Sequence, residues 1–208
     1  MSRWQGAVQI RFVDRELDTL IQIDTINRPV TPYEEAAIEV PNHQELHDVP
    51  VTRLAQLVHQ IINVEGPIHF DEVVTRIRTL WGLQRAGTRI RDALEPTRQM
   101  LVTDRTAIAE QHFLDIPGRP VRVRDRTSVR STTLRKPEYL PPSEIQQAIC
   151  SVLRENLRGQ REEIPSAVGQ VLGFSVVSAQ LRETVWAQLD ALHHQRAVQM
   201  QGSVYRVS

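Results

Sequence analysis

Cysteine is nearly absent. Cys150 stands alone in 208 residues, which excludes an intramolecular disulfide and a zinc cluster built on thiolates, and fits a reducing compartment. Lysine is equally scarce, Lys136 being the single lysine among 25 basic residues, and 25 acidic residues balance them. No net charge therefore draws the chain toward DNA or an anionic membrane, and any such attraction must be local. Apolar runs approaching the roughly 20 residues of a membrane span are missing. The opening MSRWQGAVQIRFVDRELD lacks the charged, apolar and small-residue succession of a signal peptide. These absences predict a soluble, cytoplasmic protein with no membrane partner. Phosphate-cradling GxxxxGK[ST] loops, GxGxxG turns and GxSxG elbows are absent too, so no catalytic residue, cofactor or enzymatic activity is expected.

What is present is ordinary core material, 40% of the residues being hydrophobic, enough for one large or two small domains. The arginine preference suits planar, two-pronged contact with phosphates and bases, and suits carboxylates equally well. Biased genome composition produces the same preference.

The most informative stretch runs from Glu65 to Leu94, EGPIHFDEVVTRIRTLWGLQRAGTRIRDAL. A helix beginning near Asp71, with two acids where its dipole favours them, would bury Val73, Val74, Ile77, Leu80 and Trp81 and end at Gly82. A second would start at Thr88 after Gly87, burying Ile90 and Leu94 and leaving Arg85, Arg89 and Arg91 at the turn and the helix start. Two helices about a glycine-containing turn, the second basic near its N-terminus, form the pattern of a helix-turn-helix reader. Arginines on a short helix are equally the makings of a solvated face.

Around this stretch, Leu54, Leu57, Val58, Ile61 and Ile62 predict a preceding helix from Val51 to Val64, stopped at Gly66-Pro67. The third helix is expected to continue past Pro96 through Met100 and Leu101. Residues 106–116 and 120–124 then read as extended segments about a turn at Pro117-Gly118. Three helices and a small hairpin predict a winged helix over residues 49–126. Sliding the sequence by 91 positions lays Val49–Leu101 on Leu140–Leu192 without a gap: Leu54, Val58 and Ile62 meet Ile145, Ile149 and Leu153, and Trp81-Gly82-Leu83 meets Leu172-Gly173-Phe174. Residues 139–208 are accordingly read as a second winged helix, with a hairpin about Gly202. The predicted class is mainly α with small β wings, an α+β protein of tandem winged-helix units.

Residues 1–48 hold nine acids against four arginines and form a separate acidic segment and linker. Two strands are expected around Ala7–Val13 and Leu20–Ile26, and a short helix from Tyr33 to Val40. Between the repeats, Arg119–Lys136 carries seven basic residues and one acid. Residues 127–138 read as a basic connector suited to phosphate contacts, although arginines on an edge strand also discourage unwanted pairing. The resulting nucleic-acid candidates are Arg85, Thr88, Arg89 and Arg91 on the reader, Arg119, Arg122, Arg124 and Arg126 on or beside the wing, and Arg130 in the connector. His43 and His47 stand four apart in HQELH, but Glu45 lies where neither zincin order puts its base, so no metal site is assigned.

With the Glu65–Leu94 stretch followed by PVRVRDR, YLPPSEIQQAI and VGQVLGF, the chain resembles a domain family of unknown function found at the C-terminal end of large bacterial proteins. Those proteins look like superfamily I DNA helicases carrying a very-short-patch-repair-like nuclease domain, associated with defence against foreign DNA. The resemblance covers Tyr33 to Ser208 and is most specific from Glu65 to Leu94. It implies a helicase or nuclease partner rather than an activity, because the helicase motifs and the nuclease domain are not in this chain. Two functions are compatible with these readings. One is a DNA-binding accessory module. The other is a protein–protein adaptor, with DNA and a homo-oligomer both left open as partners.

Overall fold

Leu54, Leu57, Val58, Ile61 and Ile62 share one helical face, and in the computed structural model they lie buried along α1 (Val51–Glu65). The structure describes residues 10–11, 20–21, 30–40, 45–83, 88–156 and 158–208. Its described elements are mixed α and β, and they fall into two compact units. One is Glu34–Arg119; the other takes in the described residues up to Tyr33 together with Pro120–Ser208. Residues 120–126, expected with the first repeat, thus group with the second.

In the Glu34–Arg119 unit, a short strand from Ile68 to His69 follows α1 and leads straight into α2 (Phe70–Leu80). His69 caps this helix, its Nδ1 accepting the Asp71 N–H at 3.2 Å, while Asp71 and Glu72 occupy the first turn where the helix dipole favours acids. After Gly82, the next described helix is α3 (Thr88–Thr103), which keeps Pro96 within it. Ile108–Glu110 and Phe113–Asp115 complete the unit as a hairpin. The second hairpin strand lies in the middle of a three-stranded antiparallel sheet, with Ile68 opposite Leu114 and His69 opposite Phe113. Val58, Ile61, Ile62, Val73, Ile77, Leu94 and Leu114 fill the core between helices and sheet, each such side chain contributing about 1.5–3 kcal/mol by its burial.

Two expectations need correction here. The hairpin turns at Gln111-His112, with Gln111 at φ 53°; the expected turn at Pro117-Gly118 does form, with Gly118 at φ 73°, but it follows the hairpin. Residues 34–40 are not helical. Their backbone answers to a side chain far along the chain instead: the Ala36 N–H donates to Glu65 Oε1 at 2.9 Å. The buried Glu65 also accepts from Arg76 at 2.7 and 2.9 Å, and Arg76 reaches Glu72 at 2.8 Å. Burial works against the Arg76 charge, but the hydrogen bond and the neighbouring Glu65, Glu72 and Glu35 carboxylates outweigh it and hold the guanidinium above its usual range.

In the other unit, Ile10–Arg11 pairs with Leu20–Ile21, within the two segments read as strands. Thr31–Pro32 pairs in parallel with Arg124–Asp125. Two 3-10 turns, Thr132–Arg135 and Pro137–Tyr139, bury Leu134 and Pro137, so this stretch is folded rather than an open linker. Then come α4 (Pro142–Glu155), a strand at Gly159–Gln160, α5 (Ile164–Val171), α6 (Ala179–His194) and the hairpin strands Val198–Gln201 and Val204–Val207. Again the last strand lies in the middle of three. Ile145, Ile149, Val168, Leu172, Leu181, Val185, Leu189 and Leu192 form the core.

The 91-residue offset extends beyond the helices. It carries Ile68–His69 onto Gly159–Gln160 and α3 end to end onto α6. It also matches three left-handed residues: Gly82 (φ 63°) with Gly173 (84°), Arg105 (56°) with Arg196 (62°), and Gln111 (53°) with Gly202 (62°). L-residues seldom adopt this conformation, so three coincidences at one offset tie the two units to one backbone plan.

Candidate nucleic-acid interface

The arginines singled out in the sequence have different fates. Arg85 lies outside the described residues, as does the side chain of Thr88, whose backbone begins α3. Arg89 and Arg91 are exposed in the first turn of α3. Arg91 forms an ion pair with Asp71 of α2, the two side chains being 45% and 40% exposed. Its guanidinium also stands over the Phe70 ring, 5.5 Å from the centroid. Arg98, two turns along α3, stands over the same ring at 5.6 Å and pairs with Glu95 at 2.8 Å. Phe70 itself is buried, so one fixed ring carries two guanidiniums, each with its own carboxylate.

Arg119 does not reach out from a wing. It closes the end of α1, donating to the Asn63 carbonyl at 2.8 Å and the Gly66 carbonyl at 3.3 Å, and lies 3.4 Å from Asp115. Such carbonyls have no partner within the helix, and a guanidinium satisfies them while opposing the negative end of the dipole. Arg122 is half-buried and Arg130 exposed.

Arg124 and Arg126, expected on a nucleic-acid surface, are instead buried around Glu144 near the start of α4. Glu144 accepts from Arg124 at 2.7 Å and from Arg126 at 2.6 and 3.0 Å, and also from the Arg124 backbone N–H at 2.8 Å. Tyr33 covers the group, its ring 4.7 Å from the Arg124 guanidinium and 5.2 Å from that of Arg126, while its N–H donates to the Asp125 carbonyl. Burial penalises the Glu144 charge, but the two guanidiniums outweigh the penalty and hold the carboxyl down at about 2. Exposing either arginine to phosphate would abandon these bonds. Counting charges along the sequence could not show this. The available signal was Glu144 itself, an acid placed just inside the helix that follows the basic stretch.

The matching region of the Pro120–Ser208 unit has a different character. Val176, at the offset of Arg85, is 76% exposed, and Ala179 and Gln180 replace Thr88 and Arg89. Arg161 is held by Asp190 at 2.5 and 2.8 Å beside the Trp186 ring. Cys150 is buried, and burial pushes its thiol up to about 11, which leaves it unreactive. His43, and the side chain of His47, lie outside the described residues. Among the described residues, no group of three His, Cys, Asp or Glu side chains is placed to hold a metal ion, and no helix is long and apolar enough to cross a membrane.

Residues 44–92 match a family model described as a protein of unknown function (DUF3320). The match spans α1, α2 and the first turn of α3, and so takes in Phe70, Asp71, Arg89 and Arg91. No curated protein and no solved structure matches the chain.

Proposed function

We propose that both repeats are winged-helix units and that the chain is a non-catalytic accessory module, contacting DNA through α3 of the Glu34–Arg119 unit. The observation that carries this reading is the pair of exposed arginines, Arg89 and Arg91, in the first turn of the helix that follows α2. The order of helix, strand, helix, turn, helix and hairpin, with the final strand central, supports the winged-helix assignment, and in that arrangement the third helix meets the groove. A helicase or nuclease partner in a bacterial defence system is the setting that the family resemblance suggests.

Loss of Arg119, Arg124 and Arg126 from the candidates lowers the expected electrostatic contribution. With about three phosphates neutralised, by Arg85, Arg89 and Arg91, affinity for duplex DNA should fall about fortyfold between roughly 50 and 200 mM salt. The test is a salt titration on duplex and single-stranded DNA, for the wild type and for the triple variant Arg85→Ala, Arg89→Ala, Arg91→Ala. Equal binding by the two proteins, or none by either at low salt, sinks the reading.

A second reading has its own observation. Val176, Ala179 and Gln180 are exposed and uncharged, and Arg182 alone keeps a basic side chain, where the other copy carries Arg85, Arg89 and Arg91; fewer cations suit a protein partner more than a polyanion. An adaptor would hold a stable complex in pull-downs that survives high salt and is lost in Val176→Glu.

A further inference from the structure

We propose that Phe70, Arg91 and Arg98 form a phosphate-binding cradle for the nucleic-acid backbone, in which Asp71 and Glu95 are resident counter-ions that the phosphates displace. The inference rests on the reading that α3 faces DNA, and it adds four residues that no motif in the sequence marked: Phe70, Asp71, Glu95 and Arg98.

The ring is the fixed point of the group. Phe70 is buried at the junction of the short strand and α2, and so cannot move aside. Guanidiniums at 5.5 and 5.6 Å from its centroid are drawn to its π-face, which restrains where they lie before any ligand arrives. An arginine held this way loses less freedom on binding and presents its planar fork to an oxyanion. The groups that occupy those forks now are themselves anions, and they are not deeply held. Asp71 is 40% and Glu95 36% exposed, with Arg91 and Arg98 at 45% and 28%. Exposed pairs of this kind are weak; each is held through one guanidinium nitrogen, whereas a phosphate can engage the fork with two oxygens. Asp71 and Glu95 therefore mask the two arginines in the free protein and oppose the approach of phosphate until they are displaced.

Removing the mask should strengthen binding, an outcome that a purely structural salt bridge would not give. Fluorescence anisotropy with a labelled duplex oligonucleotide is expected to show Asp71→Asn and Glu95→Gln each binding up to about fivefold more tightly than wild type. The salt dependence should steepen by about one phosphate contact in each. Arg91→Ala and Arg98→Ala should weaken binding and flatten the slope by the same amount. Arg91→Lys, which keeps the charge but not the planar fork, should fail to restore it, while Arg53→Ala on α1 controls for loss of charge alone. If wild type binds and Arg89→Ala weakens it, but the Asp71, Glu95 and Arg98 variants match wild type, the cradle is overturned and the α3 reading stands. If no protein binds the duplex even at about 20 mM salt, both are overturned.

Discussion

At the scale of single residues, Glu144 shows how a basic sequence can conceal its counter-charge. One carboxylate serves two buried guanidiniums, and such a group is strongly destabilising to break because the surviving charges are left without their partner in a poor solvent. Glu144→Gln is expected to cost about 3–5 kcal/mol in denaturant-induced unfolding, far more than Glu162→Gln on the surface. The pH dependence follows from the direction of the shift. The folded carboxyl sits at about 2, below its ordinary 4.5, so its contribution is complete above the ordinary value and is lost as pH falls toward 2. That contribution is on the order of 3 kcal/mol. Unfolding midpoints measured between pH 5 and 2 should fall with acid in the wild type and much less in the Gln variant.

At the scale of elements, the repeat permits an internal comparison. Gly82 and Gly173 share the same left-handed turn, but a Cβ at Gly82 would meet nothing within 4 Å among the described residues, whereas at Gly173 it would lie 2.1 Å from Asp125 Oδ1 and 2.6 Å from the Arg126 nitrogen. Gly82→Ala should therefore carry only the backbone penalty of about 1–2 kcal/mol. Gly173→Ala adds a collision with Asp125 and the backbone of Arg126 and Thr127, and its melting temperature should drop clearly further in scanning calorimetry. The helices were legible in the sequence because their signal is local: Leu54 through Ile62, Val73 through Ile77 and Ile90 through Leu94 repeat at helical spacing whatever surrounds them. The hairpin turn was not, since Gln111 carries no glycine signal, although its counterpart Gly202 does and lies at the same offset. The conformation of residues 34–40 was hidden for a different reason. It depends on Glu65, a partner that no window along the chain brings into view. Likewise, the exposed start of α3 could be read from spacing, whereas the Phe70 ring beneath Arg91 and Arg98 needed three dimensions.

At the scale of the whole molecule, the division into units does not follow the order of the chain. Glu34–Arg119 has its own core and ladder and should unfold cooperatively when expressed alone, as followed by circular dichroism. Pro120–Ser208 without the residues up to Tyr33 loses the Thr31–Pro32 strand and the ring over Arg124 and Arg126. Its melting point should therefore lie below that of the same unit in the full chain. The parallel pairing of Thr31–Pro32 with Arg124–Asp125 also bears on the order of events in folding. Any route that joins these strands early must close all of Glu34–Arg119 as a flexible loop, and the entropy of that closure opposes it. Once the inserted unit has collapsed, the intervening chain is no longer a flexible loop and much of that opposition is gone. Arg124–Asp125 thus meets a strand made well before it, and their pairing is timed by the folding of everything in between.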